Sequence, residues 1–135
     1  GPCSLRLQEL EGPAGSCDGY KLTAKRGGRY FSLFAGGRVE YRVGVPVDEQ
    51  AKGGHRGGLY FCRSPSAAAK VRVRAQLDAL QGASWAVLRC RCEGPFVRYS
   101  PQKFSCSRLT PVEEVPLPAD YGRCFLVMRP PSDIG

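Results

Sequence analysis

The amino-acid sequence predicts an α+β domain, mainly antiparallel β, with about seven to nine strands in a meander or partly closed sheet and one amphipathic helix at about residues 65–81. Three observations lead there. Apolar and polar residues alternate over short runs, most plainly where Leu88, Cys90 and Cys92 fall on one side of a strand and Arg89 and Arg91 on the other. Glycine pairs punctuate those runs. Helical spacing of apolar residues is confined to the stretch after Ser64-Pro65.

The elements follow in order. Ser4-Leu5-Arg6-Leu7 alternates as a first strand and ends at the Glu11-Gly12-Pro13 breaker. Tyr20 to Ala24 and Arg29 to Phe34 read as two strands around Lys25-Arg26-Gly27-Gly28, a hairpin signal. Gly36-Gly37 then turns the chain into Arg38 to Val43, where Val39, Tyr41 and Val43 share one face, completing a three-strand meander. From Gly44 to Gly58 the composition has no period that could pack on a sheet, so a long, mobile surface loop is expected before the strand Gly58 to Cys62.

Ser64 can cap a helix and Pro65 fits its first turn. Ala69, Val73, Leu77 and Leu80 give that helix one apolar stripe, closing at Gln81-Gly82, although Val71-Arg72-Val73-Arg74 also fits a short strand. Trp85 to Cys92 is the clearest strand, broken by Gly94-Pro95. Phe96 to Tyr99 and Lys103 to Leu109 resemble an antiparallel pair around Ser100-Pro101. Pro111, Pro116 and Pro118 mark an extended linker, and Tyr121 to Met128 reads as a last strand that pairs within the chain or with a neighbour.

The 135 residues suit one domain, placed at 3–129, with Gly1-Pro2 as a tag remnant and 130–135 as a tail. Lacking an initiator Met, the chain reads as a domain cut from a longer protein. No apolar stretch exceeds about four residues, against the roughly 20 of a spanning helix. Seven cysteines, an odd number, with Cys62, Cys90, Cys92 and Cys124 inside apolar-rich runs, read as reduced thiols in an intracellular protein of cytoplasm or nucleus, with Cys62, Cys90 and Cys92 buried. Cys90 and Cys92 lie two apart on one strand with no second pair, which does not suit structural zinc.

Charge is the strongest global feature. Lys and Arg number 20 against 12 Asp and Glu, a formal net of +8 with a sequence pI near 9.4. Such an excess favours polyanionic partners. The candidate binding residues are Lys25, Arg26, Arg29, Arg38 and Arg42 around two hairpins, with Lys52, His55 and Arg56 in the glycine-rich loop. That loop, Lys52-Gly53-Gly54-His55-Arg56-Gly57-Gly58, has the composition of an anion-binding nest without P-loop spacing. Arg72, Arg74, Arg89 and Arg91 form a second group. His55 is the only histidine, and Glu113-Glu114 and Asp48-Glu49 read as ordinary loop carboxylates, so no catalytic signature emerges and no cofactor or metal is expected.

Gly57-Gly58-Leu59-Tyr60-Phe61, followed by Ser64 and Ser66-Ala67, resembles the G-x-Y-F…S-x-S element of poly(ADP-ribose) polymerase-like transferases. The resemblance covers about ten residues. The family's upstream histidine-glycine element has no counterpart before Tyr30, and its downstream glutamate is not identifiable, so at most an inactive or divergent relative is implied. Three readings follow. The first is a non-catalytic interaction module with a basic surface that binds an acidic protein or peptide. RNA or DNA binding comes second and needs exposed aromatics among Tyr30, Tyr41, Tyr60 and Tyr99. The ADP-ribosyltransferase-like domain is third.

Overall fold

The computed structural model describes residues 15–33, 39–54, 56–70 and 83–118. These form one nine-stranded, mainly antiparallel sheet and a single short helix, as the alternation predicts. The expected strands at 4–7 and 121–128, the Gly36-Gly37 turn and the helix-or-strand question at 70–75 lie wholly or mainly outside the described residues.

Strands β1 (Ser16–Arg26) and β2 (Arg29–Phe31) flank Gly27-Gly28. Both glycines take positive φ, 59° and 75°, the backbone that a two-residue turn between right-twisted strands requires. Strand β3 (Glu40–Tyr41) pairs with β2, placing Tyr41 opposite Tyr30 and Glu40 opposite Phe31. It is shorter than expected. The chain turns at residues 42–45, where the Val45 N–H donates to the Arg42 carbonyl at 3.0 Å, so Val43 leaves the face of Tyr41 and stands 55% exposed.

The segment 44–58 departs most from its sequence reading. Within it β4 (Val47–Asp48) pairs with Leu109 and Arg108, the Glu49 N–H donates to the Ser107 carbonyl at 3.0 Å, and Ala51 is buried. Packing reaches the glycines too. A Cβ on Gly57 would lie 2.4 Å from the Gln50 carbonyl oxygen, and one on Gly58 would lie 3.0 Å from Ser105. A polar, aperiodic segment is therefore held through backbone bonds together with the side chains of Val47 and Ala51, which periodicity could not reveal.

Strand β5 (Leu59–Cys62) leads into helix α1 (Pro65–Ala69), which begins as predicted: the Ser64 hydroxyl accepts from the Ala67 N–H at 3.1 Å and Pro65 opens the first turn. Strands β6 (Ser84–Glu93), β7 (Val97–Arg98), β8 (Lys103–Cys106) and β9 (Arg108–Val115) follow, with β7 and β8 paired as expected. The expected linker at Pro111 is instead the middle of β9. Opposite β6 the register slips between Arg89–Glu113 and Cys90–Pro111, leaving Val112 as an extra residue, and a proline is tolerated beside such a bulge. Glu113 and Glu114 thus sit on a strand.

The sheet runs β4-β9-β6-β1-β5-β8-β7, with β2 and β3 branching from β1. Strand β1 meets β6 over ten residue pairs but β5 only at Tyr20–Cys62, so the β5–β8 arm folds back over one face of β1. Between these layers lies the larger core, including Phe61, Phe104, Leu88, Cys90, Cys92, Cys106 and Leu109. Burying each of these phenylalanines and leucines contributes about 1.5–3 kcal/mol. Gly19 makes that approach possible, because a Cβ there would lie 2.3 Å from the Phe61 ring and 2.9 Å from the Cys92 sulfur. On the opposite face, Leu22, Ala24, Cys62, Ala68 and Val87 form a second core beneath α1.

Candidate functional site

The basic tip of the β1–β2 hairpin is built by register. Arg26 and Arg29 stand directly opposite each other across the Gly27-Gly28 turn, and Lys25 stands opposite Tyr30. Like charges in such a pair destabilise it. Aromatic rings offset part of that cost: the Arg26 and Arg29 guanidinium groups lie 6.0 and 5.4 Å from the Phe31 ring centre, and the Lys25 ammonium lies 5.6 Å from that of Tyr30.

Carboxylates from two further strands, β3 and β9, complete the tip. Glu40 accepts from Arg29 at both oxygens, at 3.0 and 2.8 Å, and from Arg42 at 3.4 Å. Hydrogen bonds from the two arginines pull its carboxyl down to about 2, from an ordinary 4.5. Glu114 accepts from Lys25 at 2.8 Å and from the Tyr30 hydroxyl at 2.6 Å. Those hydrogen bonds hold its carboxyl below, and the Lys25 ammonium above, their usual ranges.

Of the eight sequence-predicted residues, Lys25, Arg26, Arg29 and Arg42 therefore gather at this tip, with Lys25 bound to Glu114, Arg29 and Arg42 bound to Glu40, and Arg26 beside the Phe31 ring. Lys52 and Arg56 belong to a separate turn, closed by bonds from the Lys52 N–H to the Arg56 carbonyl at 3.2 Å and from the Arg56 N–H to the Gly53 carbonyl at 3.0 Å. That turn adjoins Ala51, whose N–H donates to the Ser107 hydroxyl at 3.1 Å, so the loop is fastened on the β8–β9 side. Arg38 and His55 lie outside the described residues. In the second basic group, Arg89 is engaged with Glu113 at 2.9 Å and Asp18 at 3.7 Å.

Sequence reasoning missed Glu40, Phe31 and Glu114. The alternation Arg38-Val39-Glu40-Tyr41-Arg42 does set Glu40 among arginines, but no local signal ties Glu114 to Lys25, 89 residues away.

The other titratable clusters sit in the core. Cys62, Cys90, Cys92 and Cys106 are buried free thiols and Cys17 is half-buried, as the apolar contexts predict for 62, 90 and 92. Burial pushes Cys90 up to about 12 and Cys17 to about 11, which keeps both as poorly nucleophilic thiols at neutral pH. Among the described residues, no group of three His, Cys, Asp or Glu side chains is arranged to hold a metal ion. The Lys21 ammonium enters the larger core, donating to the Tyr60 carbonyl at 2.6 Å and lying 5.4 Å from the Tyr41 ring centre. Burial opposes that charge, while the Tyr41 phenol and the Cys90 and Cys106 thiols draw its pKa back above the ordinary value.

Two further surface features stand apart from the tip. Tyr60 and Tyr99 are half-buried, their ring centres 5.5 Å apart, and the Lys103 ammonium lies 4.7 Å from that of Tyr60. A polar cavity of about 440 Å³ is lined by residues that include Asp48, Glu49, Glu93 and Arg108, with Arg108 bound to Asp48 at 2.6 Å. In the segment resembling the transferase element, Leu59 and Phe61 fill the larger core and Ser64 caps α1.

Comparison with known proteins finds no matching family, no matching curated relative and no matching solved structure. What the fold itself defines is a β-rich domain in which no helix among the described residues is long and apolar enough to cross a membrane.

Proposed function

We propose that this domain is a non-catalytic interaction module whose β1–β2 tip holds an acidic protein or peptide segment. The observation that carries the reading is the cross-strand Arg26–Arg29 pair, two like charges stacked on one Phe31 ring and kept close by the turn. Beside that pair, Arg29 and Arg42 share the single Glu40 carboxylate, at 2.8 and 3.4 Å. An acidic segment would relieve that repulsion through bidentate contacts.

Nucleic-acid binding has one supporting observation, the Tyr60–Tyr99 pair with Lys103, since half-exposed rings beside a cation suit stacked bases. Two of the other tyrosines are less suited to it: Tyr41 is 2% exposed and the Tyr30 hydroxyl is bonded to Glu114.

Fluorescence anisotropy with a labelled glutamate-rich peptide and with single-stranded and duplex DNA and RNA, from low to near-physiological salt, tests both. The expected outcome is saturable peptide binding, weakened at least tenfold by Arg26→Glu together with Arg42→Glu, in a protein of unchanged circular dichroism. Preference for one nucleic-acid form, lost on Tyr60→Ala or Tyr99→Ala, would replace the peptide reading. Binding that disappears near physiological salt for every ligand would reduce the charge to a general surface property.

A further inference from the structure

Four large apolar residues stand exposed among the described residues: Val43 at 55%, Val45 at 48%, Val112 at 39% and Leu117 at 37%. Scattered singly, such residues need no explanation. Three of these are brought together. Val43 and Val45 flank Gly44, whose φ of 81° forms the turn after β3, and the Gly44 N–H donates to the Pro111 carbonyl at 2.8 Å. Pro111 is followed by Val112, the bulged residue of β9. Residues far apart in the chain thus meet at one backbone bond, with Val43 and Val45 flanking its donor and Val112 following its acceptor, and no apolar periodicity would have placed them there.

This meeting point borders the basic tip. Arg42 directly precedes Val43 and shares the Glu40 carboxylate with Arg29, linking the turn to the hairpin through side-chain contacts at 3.4 and 2.8 Å. The arginine side chains at this border are 66% and 60% exposed. Apolar side chains rimmed by arginines are the composition of a protein-binding surface rather than of a phosphate-binding one, in which apolar groups would add nothing.

We infer that the valines Val43, Val45 and Val112 form the apolar half of the partner surface, and that the partner is an acidic segment carrying aliphatic side chains rather than a uniformly acidic one. The inference rests on the proposed function and narrows its partner class. Charge complementarity selects the occupant: carboxylates meet Arg26, Arg29 and Arg42 while aliphatic groups cover the valines. The two contributions differ in salt response, since ion pairs at an exposed rim are screened and apolar burial is not.

The test compares two labelled peptides of equal length and charge, one built of Glu and Ser and one of Glu and Leu, against the full chain and its Val43→Ser/Val45→Ser variant. Both replaced side chains are exposed, so the variant is expected to keep the parent's thermal transition. The Glu-Leu peptide is expected to bind about tenfold tighter than the Glu-Ser peptide, to keep that advantage at high salt, and to lose it in the serine variant while Glu-Ser binding stays constant. Equal binding of the two peptides, with no effect of the serine changes, would overturn the inference and leave the acidic-partner reading standing. Binding of neither peptide would remove both. Concentration-dependent dimerisation abolished by the serine changes, measured by sedimentation, would assign the valines to a second copy and overturn it as well.

Discussion

The two ends of strand β1 use glycine for opposite purposes. Near its start, Gly19 is present because there is no space: an added Cβ would meet the Phe61 ring at 2.3 Å. Just past its end, Gly27 and Gly28 would meet nothing within 4 Å, and they are present because the turn needs positive φ. The first end carries the close approach of two sheet layers, and the second projects charged and aromatic side chains toward solvent. Stability is concentrated where the strand is crowded, which leaves the open end able to change without unfolding the domain.

The largest effect should come from emptying the crowded end. Phe61 packs against Phe104 at 5.6 Å and Phe96 at 6.0 Å between ring centres, so Phe61→Ala is expected to cost about 3–5 kcal/mol, read as a lowered denaturant midpoint. A loss under about 1 kcal/mol would mean that the arm is not held there.

Overfilling comes next. Gly19→Ala should cost about 3 kcal/mol, since both colliding groups are themselves packed in the core. By contrast Gly28→Ala meets no atoms and should cost about 1 kcal/mol, the penalty of its backbone conformation alone. If chemical denaturation ranks the two the other way, the contrast between the ends fails.

The smallest effect belongs to the exposed tip and depends on pH. The Glu40 carboxyl falls to about 2 in the folded chain from an ordinary 4.5. Its folded-state pKa is lowered, so the Arg29–Glu40–Arg42 contribution is fully present above pH 4.5 and is lost as pH falls toward 2. Glu40→Gln should flatten that part of the stability profile and leave neutral-pH binding of acidic ligands equal or tighter. An unchanged acid limb would show that the clamp contributes nothing measurable, as many exposed ion pairs do.

Much of the sheet was legible in the sequence where the signal is local. Leu88, Cys90 and Cys92 point into the core because side chains alternate along a strand, and Gly27-Gly28 makes a hairpin because few other residues tolerate that backbone. Ser64-Pro65 starts a helix for reasons contained in four residues. The candidate site was only half legible. Its arginines could be read along the chain, whereas Phe31, Glu40 and Glu114 became partners through strand register, and the valines became neighbours through a turn on one strand and a bulge on another.

By itself the sequence determined an antiparallel β-rich domain with buried thiols, a capped helix and an excess of positive charge, because side-chain period, turn chemistry and composition act over a few residues. Tertiary structure alone decided that Gly44, Val47, Asp48 and Glu49 would be held through backbone bonds to β9 and to Ser107 just before it, that Pro111 would lie within a strand, and that Lys25 would meet Glu114. Those outcomes depend on which strands pair and in what register, and register is chosen by burial across the whole sheet.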